Sequence, residues 1–579
     1  MARAKSAPAP TAVTVTYDLS DLPTAQHKAG LAGLLFQIEH MNGTGKSPKP
    51  KAIPNVIEVT TTRATIEFTS ESVQCLFDDL YAAENAQVRS KSKWANTDPL
   101  RVEEVEEEVE VEGKDGKPAK KKVKTKYFYY SQVQPCGNAL QQHIKNGTKD
   151  WLKLWREMLW AIPRGNPTTR KPYEERAAGK SCGEGAAAWA NLIKFEAART
   201  KNTFHTDEVA GSLWLGAQAV NAESVPFEGR VEQTLLLHFW PLVAQVYVPQ
   251  RLQPDGTNEF AGFVLAIPEV ADLQFVSDYP VALGELRKDL RGYRPAESVI
   301  DLPAEGGLSF LEHLARLTTA KGTDTDYSKL TYSNASVEFI HLEKQGNNVK
   351  TLAAGRVVSR PGLLGQYLRV AGRVGEKPPY ANPLFRRGLL LALIEDRPWY
   401  QAFGKLFAEW DVSFFVPSDA PPKLSWFWAD ARNKLNEVYK KMSEALNAQE
   451  PPDEDDLLAT KVRSLVGTYL DARLKKDGGY DFAKYREEKK TPAEATEARR
   501  KLAERLFLEL RSRREQAFID HFTNTFFAIG QYLGNKPVPR MFERIAKKLL
   551  NESEKVKILT LMALSANSYV PSPKKEKVQ

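Results

Sequence analysis

Cysteine and histidine are scarce in this chain. Three cysteines (Cys75, Cys136 and Cys182) and eight histidines occur among 579 residues. So sparse and odd a set of cysteines is typical of a reducing compartment and not of a disulfide framework. The N-terminal segment has no apolar core like that of a signal peptide, and no uncharged apolar run reaches the roughly 18 residues of a membrane span. We therefore expect a soluble, cytoplasmic protein.

The sequence also lacks the motifs of common catalytic sites. It contains no P-loop, HExxH pair or CxxC pair. Cys136 with His143, or Cys182 with His205, could share a metal ion, but structural zinc sites usually contain closely spaced cysteines. We accordingly expect no metal, no cofactor and no catalytic site.

Acidic clusters leave one enzymatic alternative open. Residues 453–456 read DEDD and could hold metal ions in a nuclease or phosphohydrolase that acts on nucleic acid. They also open a predicted helix, where acidic side chains interact favourably with the helix dipole. Asp520–His521 reverses the His–Asp order of metal phosphohydrolases and lies inside an amphipathic helix. A non-catalytic binding role is the main interpretation, and a metal-dependent nuclease is the alternative.

The chain carries a modest surplus of positive charge. It has 81 lysines and arginines against 73 aspartates and glutamates, a formal net charge of +8. This balance favours a polyanionic partner such as a nucleic acid. Hydrophobic residues make up 42% of the chain and aromatic residues 10%, which is enough for packed cores, and the length predicts two or more domains.

The order of apolar patterns predicts an α+β fold in two parts. Residues 1–415 mix short strands with helices and form a large N-terminal domain. Residues 416–423 are rich in proline and predict a linker. Residues 424–568 have helical periodicity and predict a helical bundle, and residues 569–579 predict a disordered tail.

Several strands are predicted in the N-terminal domain. Alternating apolar residues indicate strands at Val13–Asp18, Val56–Thr60 and Ala64–Phe68, the last two as an antiparallel pair. The apolar run Leu235–Val248 also predicts a buried strand, although Pro241 interrupts it.

Two glycines interrupt the first predicted helix, which follows the strand Val13–Asp18. Gly30 and Gly33 lie within its apolar stripe, and each costs about 1 kcal/mol of helix stability relative to alanine. We expect that they allow another segment to pack closely against this helix.

Residues 101–130 predict a projecting β-ribbon. Arg101–Glu112 alternates valine with glutamate, GKDGKP turns the chain, and Lys120–Tyr130 returns with lysines and aromatic residues. The basic strand could clamp nucleic acid; alternatively, the ribbon is a solvated hairpin whose acidic strand neutralises the basic one. The lysines concerned are Lys120, Lys121, Lys122, Lys124 and Lys126.

Residues 163–185, PRGNPTTRKPYEERAAGKSCGEG, predict the main binding element. Three prolines and four glycines predict a loop, and loops of this length inside compact domains tend to be functional. Its guanidinium, ammonium, amide and hydroxyl donors suit phosphates and base edges, although a mobile surface loop without a ligand could have the same composition. The candidate contacts are Arg164, Asn166, Thr168, Thr169, Arg170 and Lys171, followed in rank by Lys145, Asn146 and Lys149 in the preceding turn.

Basic residues also cluster in the bundle. At 100° per residue, Arg500, Arg511 and Arg514 fall near one helix face and could follow the phosphates of a DNA strand. The alternative is a solvated face whose arginines pair with glutamates such as Glu497 and Glu504.

Three segments together resemble a known family. They are YDLSDLPTAQHKAGLAGLLFQIEHM (Tyr17–Met41), PRGNPTTRKPYEERAAGK (Pro163–Lys180) and VEFIHLEKQGNNVKTLAAGR (Val337–Arg356). They resemble the large subunit of type I-B CRISPR Cascade complexes, in the variant group first named for Myxococcus-type systems. The likeness runs in order through most of residues 1–400 and rests on no catalytic motif.

The resemblance implies a non-catalytic, RNA-guided role. Such subunits bind the 5′-handle end of the guide RNA, recognise the protospacer-adjacent motif in duplex DNA and promote strand separation, while base pairing reads the target. The implied partners are the guide RNA, target double-stranded DNA, and the backbone and handle-binding subunits of Cascade. A recruited helicase–nuclease or, in transposon-borne systems, a transposition adaptor completes the set.

The resemblance also gives Met442 a possible role. Some systems of this family make a separate small subunit by internal initiation within the large-subunit gene. Initiation at Met442 would yield residues 442–579, helical bundles that resemble the Cascade small subunit and hold displaced DNA through arginines such as Arg500. Alternatively, Met442 is an ordinary methionine of the folded protein.

Overall fold

The structure is a computed structural model and divides into two compact units. The first unit comprises Met1–Pro249 and Ala261–Pro361, and the second comprises Gln250–Phe260 and Gly362–Gln579. The residues that the structure describes are 10–43, 52–94, 97–112, 118–143, 149–161, 167–209, 213–215, 227–253, 255–276, 290–291, 294–320, 334–345, 348–371, 379–417, 427–488, 490–529 and 541–569.

The first unit is mixed, with strands and helices interspersed. The strands of the chain are β1 Ala12–Asp18, β2 Asn55–Val59, β3 Arg63–Thr69, β4 Ala83–Ser90, β5 Arg101–Glu112, β6 Pro118–Pro135, β7 Thr206–Glu208, β8 Glu228–Arg230, β9 Gln245–Leu252, β10 Asn258–Phe260, β11 Phe263–Val270, β12 Leu290–Arg291, β13 Arg294–Pro295, β14 Val299–Ile300, β15 Asn334–Gln345 and β16 Asn348–Val358. The helices of this unit are α1 Ala25–Gly43, α2 Ser70–Leu80, α3 Asp150–Ala161, α4 Pro167–Ala177, α5 Gly183–Arg199, α6 Val231–Thr234 and α7 Glu305–Ala320.

The strands of the first unit form several sheets. β3 lies between β1 and β2, antiparallel to both, so the strands predicted at Val13–Asp18, Val56–Thr60 and Ala64–Phe68 are confirmed. A second sheet has β9, β11, β15 and β16 in that order, with β14 parallel to β9. β6 lies between β4 and β5 in a third sheet, and short pairs join β7 to β8 and β12 to β13.

The two glycines of α1 lie where another backbone crosses the helix. A Cβ atom at Gly30 would lie 2.2 Å from the carbonyl oxygen of Leu236, and one at Gly33 would lie 2.2 Å from that of Phe239. No side chain fits at such distances, so only glycine permits this contact. The close packing predicted for these glycines is confirmed.

The strand predicted over Leu235–Val248 is wrong in its first half. Leu235–His238 and Trp240–Leu242 form 3-10 turns, and β9 begins only at Gln245. Most residues of this stretch are buried. A short run that is apolar on all sides does not distinguish a strand from buried helical turns.

Opposite charges face each other across β5 and β6. Glu104 lies opposite Lys126 and Glu106 opposite Lys124, with Nζ–Oε1 distances of 3.8 and 3.9 Å. The predicted two-stranded ribbon is incomplete, because β4 pairs with the other edge of β6 along residues 128–135. The sequence of β4, AENAQVRS, has no clear alternation of apolar residues, which is why the pattern did not predict it.

The second unit is largely helical. Its helices are α8 Leu363–Ala371, α9 Pro383–Ile394, α10 Phe403–Glu409, α11 Phe427–Asn447, α12 Glu454–Gly478, α13 Phe482–Glu487, α14 Ala493–Arg511, α15 Glu515–Phe526, α16 Met541–Asn551 and α17 Ser553–Asn567. β10 pairs with the last residues of β9 within this unit. Residues Val556–Ala566 of α17 are buried throughout, so α17 is the central helix of the core.

The boundary between the units lies before the predicted linker. The second unit resumes at Gly362, whereas the sequence predicted a division at residues 416–423. Phe385, Phe403 and Phe407 explain the difference, because their ring centroids lie between 5.2 and 6.0 Å from that of Phe427. These aromatic residues place the elements before the linker in the same core as the bundle. Linker residues 418–423 and tail residues 570–579 lie outside the described residues.

Replacing Gly30 with alanine should destabilise the first unit strongly. The obstructing atom belongs to the backbone, so α1 and the crossing segment would have to separate. We expect a loss of about 3 kcal/mol or more in the free energy of unfolding, measured by chemical denaturation, at the upper end of overpacking costs. The control is Gly43→Ala on the same helix, where a Cβ atom meets nothing within 4 Å. This substitution should not lower stability, and an equal loss in both variants would contradict the close-packing account.

Candidate nucleic-acid interface

The described part of the basic stretch 163–185 is largely helical. Helix α4 covers Pro167–Ala177, and α5 begins at Gly183. A proline at the first helical position is tolerated because its missing N–H has no acceptor within the helix, whereas Pro172 lies inside α4 and removes one hydrogen bond. The predicted loop is therefore wrong over α4.

Tertiary contacts stabilise α4 although its proline content disfavours a helix. Tyr173 is 3% exposed, and its ring centroid lies 5.1 Å from that of Tyr81 and 6.5 Å from that of Trp160. The residues of α4 have a weak intrinsic preference for the helix. The free energy gained by burying the Tyr173 ring is larger than the cost of that weak preference. Prolines and glycines in the sequence predict a loop here, and the local pattern does not indicate that Tyr173 is buried.

The structure describes some of the predicted contact residues and not others. Thr168 and Thr169 lie in the first turn of α4. The Nε of Arg170 lies 2.7 Å from a Glu174 carboxylate oxygen, and the Nζ of Lys171 lies 3.7 Å from one of Glu175. Lys149 is exposed directly before α3, while Lys145, Asn146, Arg164 and Asn166 lie outside the described residues.

Lys153 and Arg156 of α3 were not predicted, and they continue a row of cations that begins at the predicted Lys149. Lys149, Lys153 and Arg156, at helical spacing i, i+4 and i+7, line a small cleft of about 230 Å³ beside β4 and β6. This spacing is visible in the sequence DWLKLWREMLWA and its preceding lysine. This row extends the basic surface of α4. We call the two together the α3–α4 basic region: Lys149, Lys153, Arg156, Arg170 and Lys171.

Arg156 is the unusual member of this region. It is 9% exposed, and among the described residues its Nε has no hydrogen-bond partner. The guanidinium groups of Arg156 and Arg170 each lie 5.2 Å from the ring centroid of Trp160. Burial and the charge of Arg170 lower the pKa of Arg156, while Glu157 raises it. A buried donor without an acceptor, beside a second cation, favours the binding of an anion.

Arg500 does not present a free cationic surface. Its side chain is 17% exposed and lies 2.6 Å from a carboxylate oxygen of Glu497 and 3.3 Å from one of Glu504. It also donates a hydrogen bond to the carbonyl oxygen of Pro417 at 3.2 Å. This geometry matches the alternative of a helix face paired with glutamates.

Arg511 and Arg514 lie together, apart from Arg500. Both line a cleft of about 850 Å³ whose described lining does not include Arg500. Arg511 donates a hydrogen bond to the carbonyl oxygen of Ala408 at 2.8 Å. Glu515 and Glu554 line the same cleft, so its charge is mixed.

The acidic cluster at the start of α12 is occupied by structural contacts. Asp453 caps the helix by accepting hydrogen bonds from the backbone N–H groups of Asp455 and Asp456. Asp455 accepts from the Tyr400 hydroxyl at 2.7 Å and from Lys555 at 2.8 Å. Within the described ranges, no group of three or more potential metal ligands occurs.

Two family models match the chain. Residues 53–323 match the Type I-B CRISPR Cas8b N-terminal domain, and residues 335–567 match the Type I-B CRISPR Cas8b C-terminal domain. The chain belongs to the Cas8b family. It is therefore a large subunit of a type I-B Cascade, a complex that contains guide RNA and further Cascade subunits. No curated protein matches the chain.

The family domains and the structural units divide the Cas8b chain differently. The family boundary falls between residues 323 and 335, whereas the second unit resumes at Gly362. The hairpin of β15 and β16 thus belongs to the C-terminal domain by sequence and to the first unit by packing. The α3–α4 basic region lies in the N-terminal domain. Of the helices that the structure describes, none is long and apolar enough to span a membrane.

Proposed function

We propose that this Cas8b subunit binds the protospacer-adjacent motif of target duplex DNA and the 5′ handle of the guide RNA through the α3–α4 basic region and residues 162–166, which join the two helices. In this role it promotes strand separation and recruits an effector, without catalysing a reaction itself. The observation that carries the proposal is the buried Arg156, with its unsatisfied Nε, beside Arg170 on the ring of Trp160.

The ion pairs of α4 are weak enough for a phosphate to replace their glutamate partners. Arg170 and Lys171 pair with glutamates one turn along the helix, and their side chains are 49% and 66% exposed. Such surface pairs contribute only about 0.3–0.5 kcal/mol. When a phosphate replaces the glutamate, the protein therefore loses little stability from the broken ion pair. The phosphate forms a charge-assisted hydrogen bond in its place.

The residues that join α3 and α4 supply the side chains suited to base edges. Residues 162–166 read IPRGN and contribute Arg164 and Asn166. A guanidinium can bind guanine through two hydrogen bonds, and an amide can bind adenine in the same way. Phosphate contacts from the helices would then position these two residues over a short motif.

The proposed partners extend beyond nucleic acid. They are the Cascade backbone and handle-binding subunits, together with a recruited helicase–nuclease or, in a transposon-borne system, a transposition adaptor. Arg511 and Arg514 remain candidates for contact with the displaced strand, because they line one cleft, whereas the acid-paired Arg500 has less support.

The competing function is a metal-dependent nuclease. The acidic residues that it would need form structural contacts in the folded chain. Since Asp453 caps α12 and Asp456 pairs with Lys441 at 3.1 Å, we expect purified protein with labelled DNA and Mg²⁺ or Mn²⁺ to release no cleavage product. Metal-dependent cleavage that disappears in the Asp453→Asn, Asp456→Asn double variant would refute the non-catalytic role.

Replacing Arg164, Arg170 and Lys171 with alanine should weaken target binding by the assembled complex and leave the fold intact. Exposed cations contribute little to stability, whereas each lost phosphate contact should reduce the slope of log affinity against log salt by about 0.9. Binding of labelled duplex should be measured at several salt concentrations, with thermal unfolding as the check on folding. A matched control removes Lys405, Lys440 and Lys484, three exposed lysines that also pair with a glutamate four residues on. Equal affinity of the two triple variants would rule out the assigned surface.

Internal initiation at Met442 makes a second, separate prediction. With a C-terminal tag on the intact gene, we expect a second product of residues 442–579 out of 579, about a quarter of the full mass. Met442→Leu should abolish this band and leave full-length protein stable, because leucine conserves the volume of this buried side chain. If the native host makes full-length protein alone, the idea is wrong.

The short product should depend on partners for its stability. The core of the second unit includes Phe427, Leu435 and Val438 of α11, and α11 packs on α17. Residues 442–579 lack this cover, so the isolated fragment should expose apolar surface unless another subunit buries it.

A further inference from the structure

A second basic cleft lies within the second unit. It has a volume of about 640 Å³ and lies among α11, α12, α13, α14 and the end of α17. Residues at helical spacing form two of its walls. They include Arg432, Asn436 and Tyr439 on α11, and Arg463, Ser464 and Asp471 on α12.

Positive charge dominates this cleft. Arg486 and Arg499 also line the cleft, so that four arginines accompany a single carboxylate, Asp471. That carboxylate already pairs with both Arg486 and Arg499. Arg432 and Arg463 form no ion pair with a carboxylate of the described residues.

Two of the arginines have a structural role at the end of α17. Arg432 donates hydrogen bonds to the carbonyl oxygen of Ala566 at 3.0 and 3.1 Å and another to that of Tyr569. Arg499 donates to the carbonyl oxygen of Asn567 at 2.6 Å. Cations are favoured at helix C-termini, where carbonyl groups carry partial negative charge.

Arg463 has no such role. In the described part of the chain, its guanidinium has neither a hydrogen-bond partner nor an ion pair, although burial lowers its pKa. Burial and the charges of Arg463 and Arg499 lower the pKa of Arg432 to about 10, so these cations repel one another. A half-buried cation among like charges is costly, and a bound anion would relieve that cost.

We propose that this cleft binds a phosphate group, with Arg463 as its main ligand and Arg432 and Arg486 beside it. Tyr439 lines the same cleft and is 55% exposed, which suits it to stack on the base of a bound nucleotide. The ligand is thus a nucleotide unit, supplied either by a nucleic-acid strand or as a free nucleotide. The inference does not depend on the motif-binding role proposed above, because every lining residue belongs to the second unit.

The chemistry and size of the cleft fit this ligand. A guanidinium presents its donors as a planar fork that matches two phosphate oxygens, and such charge-assisted pairs are stronger than neutral hydrogen bonds. The hydroxyl group of Ser464 and the amide group of Asn436 offer further donors along the walls. The volume lies within the range of about 300–1,000 Å³ that is typical of small-molecule sites.

The test uses the full-length protein and inorganic phosphate as its first probe. Thermal unfolding is measured over a phosphate titration in which chloride keeps the ionic strength constant. We expect phosphate to raise the unfolding midpoint of the unaltered protein, as a ligand of the folded state does. Arg463→Gln should weaken phosphate binding by about tenfold or more, since it removes a charge-assisted bond. Its midpoint without phosphate should be equal or higher, because an unpaired half-buried cation is lost.

Two further probes distinguish the sources of the phosphate. AMP and a labelled single-stranded dT oligonucleotide are titrated against the same variants. A loss for all three ligands in Arg463→Gln assigns the cleft to a strand backbone, and a loss confined to phosphate and AMP assigns it to a free nucleotide. Tyr439→Leu should weaken binding of AMP and leave binding of inorganic phosphate unchanged.

Arg473→Gln is the matched control. Arg473 lies on the same helix, loses the same charge when replaced and pairs with Asp477 outside the cleft. Its phosphate affinity should stay within about twofold of the unaltered protein, well inside the scatter expected for surface substitutions. The proposal is overturned if phosphate stabilises the unaltered protein no more than chloride does, or if both arginine variants lose the response equally.

Discussion

Both basic sites depend on one physical constraint, the free-energy cost of burying an arginine side chain that has no carboxylate partner. Arg156 in the first unit and Arg463 in the second form no ion pair with a described residue, and each lies near another arginine. Desolvating a guanidinium in this way costs several kcal/mol unless hydrogen bonds or counter-charges offset it. The helices that carry them offset it by burying large apolar side chains on their other faces, such as Trp151 and Trp155 of α3 and Leu465 of α12. Each cluster can therefore form in the folded protein, and the proposed anion would offset part of the remaining cost.

Sequence patterns predicted those parts of the fold in which one physical signal dominates. Period-two burial along β1 is such a case, and so is the steric demand of a backbone crossing at Gly30 and Gly33. The pattern failed where signals competed. Proline and glycine counts predicted a loop at α4, where the burial of Tyr173 determines the structure, and the continuous apolar run before β9 carried no period at all.

The sites were less predictable than the fold because their members are distant in sequence. The cleft arginines Arg432, Arg463, Arg486 and Arg499 come from four helices, and only the folded chain brings them around Asp471. Nothing in their local spacing indicates which arginine is paired and which is not. The same holds for the predicted helix face. Angular spacing places Arg500 and Arg511 on one side of the helix, but it does not show that their side chains bind different groups, the carbonyl oxygens of Pro417 and Ala408. The family resemblance, in contrast, follows from several segments in order and is confirmed by both family models.

In the proposed role, the two kinds of contact divide between helix and connecting segment. Arg170 and Lys171 hold glutamates in weak, exposed pairs, which makes them suited to phosphates and insensitive to sequence. Arg164 and Asn166 belong to residues 162–166, which follow α3 and precede α4 in the sequence. In the proposed role, these two side chains would read the edges of a few bases. Affinity would then depend mainly on salt and on the helices, and specificity on the segment between them. Because base pairing with the guide would supply the rest of the recognition, weak and reversible protein contacts would be an advantage in the proposed role. They would let the subunit release duplexes whose motif is right but whose target sequence is wrong.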